Sequence, residues 1–412
     1  MTIPASVAVV LLLVVVVAQV KWANNFVRLY SRRTARPAEV EFPHVGVIMS
    51  LRGADPFLED SLRGLLSLEY PSHEIRIIID SQADPALVVV DRIRNELNAA
   101  NVEVEFLELC QETSSLKNAA LIQGIHGCSS ECEVFAWLDS DTVPHVDWLK
   151  DLVEPLGDDS VGATCGVRWY APPSNTIANY VRHIWNSGAV VQMVAFSIGW
   201  GGAFAIRKAI VQKLDLQDKW GRALVEDTLA SNEVLQDGKC IAFVAECTMV
   251  NPEATSLKSC LSFLTRQLQA ARYYHRAWRT VLWFGLFSGG VLLGNLSLIL
   301  YGLFCDDLLC AALCGAGVAT FGVVTGGLTQ RSERCVNALI GDRAVGGSSL
   351  FLMIILAAPP AQIMHLIALV RACALRSATW RGIRYQIHSG LNMLRTNYVP
   401  YLSETDTPQH SL

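Results

Sequence analysis

Apolar residues are concentrated at the two ends of the chain, with a long polar stretch between them. Residues 3–20 are almost uninterruptedly apolar, close to the roughly 20 residues an α-helix needs to cross a bilayer core. Three more such runs follow the polar stretch. Residues 281–304 and 308–328 are separated only by Cys305-Asp306-Asp307 and read as a tight helical hairpin with an acidic turn. Residues 348–370 are long enough to span, but Pro359-Pro360 falls inside them. Two prolines remove backbone donors and predict a break in that helix.

Between about residues 43 and 251 the pattern changes to short β-branched runs alternating with helical ones. Strands are predicted over 44–50, 75–80, 102–109, 134–138, 161–167 and 241–245, and helices over 57–66, 86–99, 115–125, 148–156 and 174–196. Such alternation argues for an α/β domain whose mostly parallel sheet is covered on both faces. Ligands of such sheets bind beyond the carboxyl ends of the strands. The expected organisation is an N-terminal anchor at 1–22, an α/β domain at 43–255 and an interfacial amphipathic helix at 256–279. A C-terminal membrane region at 280–371 and a basic tail at 372–412 follow.

Composition and charge sharpen this picture. Apolar residues make up 51% of the 412 and charged residues 17%, with a mean hydropathy of +0.32; this is too apolar for an ordinary soluble enzyme. A net charge of −5, with no basic run interleaved with aromatics, excludes bulk nucleic-acid binding. The basic residues Lys21, Arg28, Arg32, Arg33 and Arg36 follow the first apolar run rather than precede it. That order predicts an uncleaved anchor with its N-terminus outside and the polar domain in the cytoplasm. Arg331, Arg334 and Arg343 mark a return to the cytoplasm. Counting spans then puts the C-terminus outside, whereas Arg371, Arg376, Arg381 and Arg384 put it inside. The second reading is preferred, with 348–370 a re-entrant or partly interfacial element. The twelve cysteines include no CxxC pair, against zinc or a disulfide framework. Cys128 and Cys132 flank a short turn and could pair, but incidental thiols on a reducing face are preferred. His365, the one candidate ionisable group within an apolar run, reads as packed or interfacial rather than as part of a transport path.

Several polar positions carry candidate chemistry. Asp139-Ser140-Asp141 follows the strand at 134–138. Two carboxylates one residue apart at a strand end can hold a hard divalent cation, which offsets charge on a leaving phosphate. The alternative is a turn in which Asp141 or Thr142 caps the next helix; the strand-end position favours the cation. Asp80 ends its strand with no evident structural duty and is a candidate for contacting a base or ribose. Asp84, before Pro85, reads as a helix cap. Glu226-Asp227 either complements the dipole of the following helix or supplies a general base. Gly201-Gly202, next to Trp200, is either a tight turn or a place where the backbone approaches a ligand. In residues 261–278, Tyr273, Tyr274 and Trp278 look like an interfacial belt continued by Trp283. Arg266, Arg276 and Arg279 read as topology charges, whereas Arg272 could clamp a diphosphate bidentately.

Several segments in order carry a resemblance: Leu51-Arg52-Gly53-Ala54-Asp55-Pro56, Tyr70-Pro71 with Glu74-Ile75, Asp80 through Asp84-Pro85, and Lys117-Asn118. Asp139-Ser140-Asp141, Gly201-Gly202 through Arg207-Lys208, Glu226-Asp227, Gln269-Ala270-Ala271-Arg272-Tyr273 and Trp380-Arg381-Gly382-Ile383-Arg384-Tyr385 continue it. Over nearly its whole length the chain resembles the membrane-bound family 2-type (GT-A fold) glycosyltransferases, and within them most the ceramide glucosyltransferases. The resemblance implies a Rossmann-like nucleotide-diphospho-sugar transferase domain with transmembrane helices at both ends. It implies inverting transfer of a hexose, glucose favoured, from a UDP-sugar to a membrane-lipid hydroxyl, ceramide favoured, at the cytoplasmic face. By the same resemblance Asp80 would contact uridine, Asp139 and Asp141 would hold Mg²⁺ or Mn²⁺, and Lys117, Gly201 and Gly202 would serve the donor. Asp227 would be the base, with Glu226 able to share its role. Gln269 and Arg272 would serve the diphosphate, and Trp200 and Tyr273 the acceptor side. The family motif ends in Trp where this chain has Tyr273. Competing readings are a same-fold transferase acting on diacylglycerol, a hopanoid or a polyprenyl phosphate, and a catalytically silent nucleotide-sugar-binding scaffold.

Overall fold

The structure, a computed structural model, describes residues 2–31, 41–108, 111–343 and 349–401; Arg32, Arg33, Arg36, Leu109, Ser348 and the tail beyond 401 lie outside these. Helix α1 (Thr2–Ser31) runs well past the predicted anchor. Its extension is amphipathic: Phe26 stacks on Trp169 with centroids 6.3 Å apart, and the Tyr30 hydroxyl shares a 2.5 Å hydrogen bond with the Thr248 hydroxyl.

Strands and helices then alternate as β1 (Val45–Leu51), α2 (Leu58–Leu66), β2 (His73–Ile79), α3 (Ala86–Glu96), β3 (Val102–Phe106), α4 (Leu116–Gly127) and β4 (Val134–Leu138). The four strands pair in parallel in the order β3, β2, β1, β4. Their side chains alternate between two cores, as the period of two requires. Val47, Ile77 and Ala136 face α2 and α3, while Ile48, Ile78, Phe135 and Trp137 face α4. Trp137 stacks on Phe204 at 4.7 Å and meets Trp220 edge-on at 5.8 Å. Full burial of each such side chain is worth about 1.5–3 kcal/mol before ordering costs. Because the strands are parallel, Asp80, Asp139 and the Arg52–Asp55 loop all leave the sheet at one edge.

The second half breaks the alternation. It comprises α5 (Trp148–Val153), β5 (Val161–Cys165), β6 (Arg168–Tyr170), α6 (Ile177–Phe196), β7 (Ala203–Arg207), α7 (Lys208–Lys213), α8 (Leu216–Trp220), α9 (Asp227–Gln236), β8 (Cys240–Phe243) and β9 (Met249–Asn251). β7 lies antiparallel between β4 and β5, and β5 pairs in parallel with β8. The result is a seven-stranded, parallel-dominated sheet ordered β3-β2-β1-β4-β7-β5-β8. β6 and β9 form a separate parallel pair. The sequence pattern did not signal β7, because its glycine-rich start reads as a turn. The predicted strand at 161–167 ends at Cys165 and a second one starts at Arg168.

The C-terminal part contains α10 (Leu257–Tyr274), α11 (Trp278–Phe304), α12 (Leu308–Ile340) and α13 (Phe351–Ala374). It ends in an antiparallel meander, β10 (Ser377–Trp380), β11 (Ile383–Ser389) and β12 (Asn392–Thr396). Helices α1, α11, α12 and α13 are long and apolar enough to cross a membrane, which fits a membrane protein. Two expectations are corrected here. The helix predicted to break at Pro359-Pro360 runs through both prolines, where Ala357, Ala358 and Ala361 are buried in the core shared with neighbouring helices. The predicted basic tail at 372–412 is, as far as residue 401, mostly folded, and it packs onto the α/β domain.

Both ends of α13 are held by hydrogen bonds to neighbouring helices. At its start the Leu350 N–H donates to the Tyr180 hydroxyl at 2.9 Å, and Ser349 donates through N–H and hydroxyl to the Glu333 carboxylate. At its end Arg272 donates to the Ala372 carbonyl at 2.6 Å and Gln269 to those of Leu375 and Ser377 at 3.3 and 3.2 Å.

Asp84 acts as the expected cap, accepting from the Ala86 N–H at 2.9 Å, and its carboxylate also accepts from the Gly53 N–H at 3.1 and 2.9 Å. It therefore joins the loop after β1 to the start of α3. Asp84→Ala is expected to lower stability by about 1–2 kcal/mol, read as a lower thermal midpoint in detergent; an unchanged midpoint would show that the loop holds without it.

Candidate active site

At the carboxyl edge of the sheet a buried network of acids and bases forms around Lys117. Ser115 caps α4, accepting from the Asn118 N–H at 3.2 Å, and so fixes Lys117 in its first turn. The Lys117 ammonium lies 2.6 Å from Asp139 and 2.7 Å from Glu226, and donates to the Gly201 carbonyl at 3.0 Å. Burial works against its charge, but Asp139 and Glu226 hold its pKa above the ordinary lysine range.

Arg168, leaving β6, joins the two aspartates of the strand end. One of its terminal nitrogens lies 2.9 Å from Asp139 and 2.6 Å from Asp141. Both carboxylates thus converge on one cation, and two hard oxygen donors around a shared point fit a divalent metal. Burial raises Asp139, but Lys117 and Arg168 more than offset this and leave it below the usual carboxylate range. Burial pushes Asp141 up to about 6, aided by Asp139 and Asp55 and opposed by Arg168. Asp141 does not cap the next helix, whose N-cap position is held by Asp147. Ser140 donates to Asp55, which pairs with Arg381 at 2.7 Å.

Glu226 and Asp227 open α9 beneath Gly201. The Asp227 carboxylate accepts from the Gly201 N–H at 2.7 Å and from Thr228 through its N–H and hydroxyl. Glu226 is pushed up to about 7 by burial, with Lys117 opposing and Asp227 adding to the rise. Asp227 also lies above its ordinary range through burial. A Cβ at Gly201 would lie far inside van der Waals contact with Glu226, and one at Gly202 inside the Trp200 ring. The glycine pair is thus where backbone and carboxylates meet, not a plain turn. Trp200 lies under the Arg168 guanidinium at 5.0 Å.

These groups line one cavity of about 350 Å³. Its polar end holds Asp80, Lys117, Asp139, Asp141, Glu226 and Asp227, and its far end runs between Trp22, Phe284, Phe321, Ala358 and His365 of the apolar helices.

The sequence matches glycosyl transferase family 21 over residues 7–393. The chain belongs to this family. No curated protein matches it. Among solved structures it is similar to the mannosyltransferase PcManGT from Pyrobaculum calidifontis, described in complex with GDP-Man and Mn²⁺, at 15% identity and a TM-score of 0.49. That likeness covers 90% of this chain and 97% of the other. It is also similar to TarS 1–349 of S. aureus, at 13% identity and a TM-score of 0.35, over 85% and 98% of the two chains.

For this family 21 glycosyltransferase the structure brings Asp80, Lys117, Asp139, Asp141, Trp200, Gly201, Gly202, Glu226 and Asp227 to one cavity. It does not bring Gln269, Arg272 or Tyr273 there. Gln269 and Arg272 are spent on the carbonyls that end α13, and Tyr273 lies under the Arg272 guanidinium at 4.9 Å. Two cations that the sequence did not single out for the donor do line the cavity. Arg266, one and a half helical turns earlier, lines the cavity beside Trp380 at 5.2 Å and has no carboxylate partner among the described residues; burial lowers it to about 10. Arg381 lines the cavity from the meander turn. Its backbone is left-handed at φ 46°, as is that of Gly382 at φ 79°, which fits the two-residue hairpin turn between β10 and β11. Asp80 also differs from expectation: it has structural partners, an ion pair with Arg52 and the Tyr401 N–H at 2.8 Å.

Gly201→Ala is expected to abolish transfer while leaving the fold intact, because the new Cβ displaces the Glu226 carboxylate rather than core packing. Activity near that of the parent, with the thermal midpoint unchanged, would show that this close approach is dispensable.

Proposed function

We propose that the protein transfers a hexose, glucose favoured, from a UDP-sugar to the hydroxyl of a membrane lipid, ceramide favoured, with inversion at the anomeric carbon. The observation that carries this reading is the single cavity joining the acid cluster to the apolar helices. A polar donor and an amphiphilic acceptor can meet there without the lipid leaving an apolar surface. The order of Lys21 and Arg28 after the first apolar run supports a cytoplasmic catalytic face.

In this reading Asp80 marks the nucleoside end. Mg²⁺ or Mn²⁺ held by Asp139 and Asp141 would supply positive charge against the departing diphosphate. Arg266 and Arg381 add fixed positive charge on the same cavity, an electrostatic contribution that is often the largest in catalysis. Lys117 keeps Glu226 and Asp139 oriented. Asp227, less buried than Glu226, takes the proton from the lipid hydroxyl as its oxygen attacks the anomeric carbon and the carbon–phosphate oxygen bond breaks. Glu226, holding its own proton up to about 7, can relieve the charge beside it.

The base must be ionised to act, and both members of the pair hold protons above the ordinary carboxylate range. The acid limb of the pH–rate profile is therefore expected above the ordinary carboxylate range, with activity lost as pH falls through the raised pKa of Asp227. A limb near pH 4 would remove this pair from proton transfer. Asp227→Asn is expected to retain UDP-sugar binding and to lose about 10²- to 10⁴-fold in turnover. Incubating purified protein with a panel of UDP-sugars, with ceramide, diacylglycerol, hopanoid and polyprenyl phosphate, and with or without chelator, tests the whole reading by product mass. Transfer to none of these lipids, with UDP-sugar still bound, would favour the silent scaffold.

A further inference from the structure

Asp80 is gripped by the far end of the chain. Its carboxylate is almost fully covered, 1% exposed, yet its two oxygens are held very differently. Oδ2 is paired with Arg52 and accepts from the Tyr401 N–H at 2.8 Å. Among the described residues Oδ1 accepts only from the Tyr398 hydroxyl, at 3.2 Å, long for a hydroxyl on a carboxylate, where about 2.5–2.7 Å is usual.

The segment carrying both tyrosines is fastened at one end and hinged at the other. Toward the C-terminus the Tyr401 carbonyl accepts from the Ser81 hydroxyl at 2.6 Å, and its ring lies on Gly53. Gly53 has φ +77°, where a side chain would be strained and would meet that ring. On the other side β12 is anchored by Arg395, which donates to the carbonyls of Ser114 and Gln111 at 3.0 and 2.9 Å. Between these anchors Asn397 adopts a left-handed backbone at φ 59°. The half-buried Tyr398 follows it, its ring between the guanidinium groups of Arg52 and Arg395 at 5.7 and 5.3 Å.

We propose that residues 397–401 form a latch on the nucleoside end of the cavity, in which Tyr401 and Arg52 fix Asp80 and the Tyr398 hydroxyl holds the place of a nucleobase imide N–H. This rests on the reading of Asp80 as the nucleoside contact. The geometry selects a base that presents N–H to a carboxylate, since Oδ1 can only accept. The base displaces a weak, long hydrogen bond, while the short contacts on Oδ2 keep the carboxylate aimed.

Tyr398→Phe tests this because it keeps the ring between its two arginines and removes only the competing hydroxyl. UDP affinity, measured by calorimetry on the full chain in detergent, is expected to tighten about three- to tenfold, and the change to fall on KM for the donor rather than on kcat. Unchanged or weaker UDP binding would overturn the latch. A parallel measurement follows hydrogen exchange of residues 397–401 with UDP, GDP and ADP added separately. Altered exchange with UDP supports the latch, and UDP binding with no change in that segment rejects it while leaving the transferase reading intact. Binding of none of the three would sink the nucleoside reading and the latch together.

Discussion

The carboxylates of Asp139, Asp141, Glu226 and Asp227 line a cavity that continues into apolar helices, and Asp55 joins them through Ser140 and Arg381. Everything else at the site follows from keeping that charge out of water. Isolated ionised groups in such surroundings are too costly to persist. Lys117, Arg168 and Arg381 are each within ion-pair distance of at least one of them. These cations come from α4, β6 and the C-terminal meander, so neutralising the acids also ties three distant parts of the chain to one point. The sheet's parallel half supplies Asp139, Asp141 and Lys117, the irregular second half supplies Glu226, Asp227 and Arg168, and the meander adds Arg381.

The same requirement explains the glycine pair and the antiparallel strand. Glu226 can reach Lys117 only if nothing projects from position 201, and Trp200 folds back only if position 202 is bare. β7 leaves that turn and crosses the middle of the sheet antiparallel, carrying Phe204 into the stack on Trp137. Core packing and site geometry are thus set by the same few residues.

The parallel half of the fold was legible in the sequence because its β-branched runs are flanked by helices with clear caps, as at Ser115 and Asp84. The strand-end acids were legible for the same reason: parallel strands place their ends together. β7 was not, since a strand opening on Gly201-Gly202 carries the local signal of a turn. The meander was not, because Ser377–Trp380 and Ile383–Ser389 are short, polar at every second position and set among Arg376, Arg381 and Arg384, so the segment reads as a basic tail. Arg266 and Arg272 lie on one helix and differ only in direction. The resemblance of the Gln269–Tyr273 segment favoured Arg272, and in the structure Arg272 donates to the carbonyls at the end of α13, far away in sequence. Pro359-Pro360 misled for a related reason: a local helix breaker is overridden by packing that only the assembled helices provide.

The bonds joining Asp80 and Ser81 to Tyr401 span 321 and 320 residues of chain. A ribosome making this protein has finished the sheet, the acids and all four long helices before Tyr401 has emerged. The grip on Asp80 is consequently completed only after those elements, and a nascent or clipped chain that stops short of Tyr401 lacks it. That order of assembly makes one edge of the cavity depend on synthesis through Tyr401.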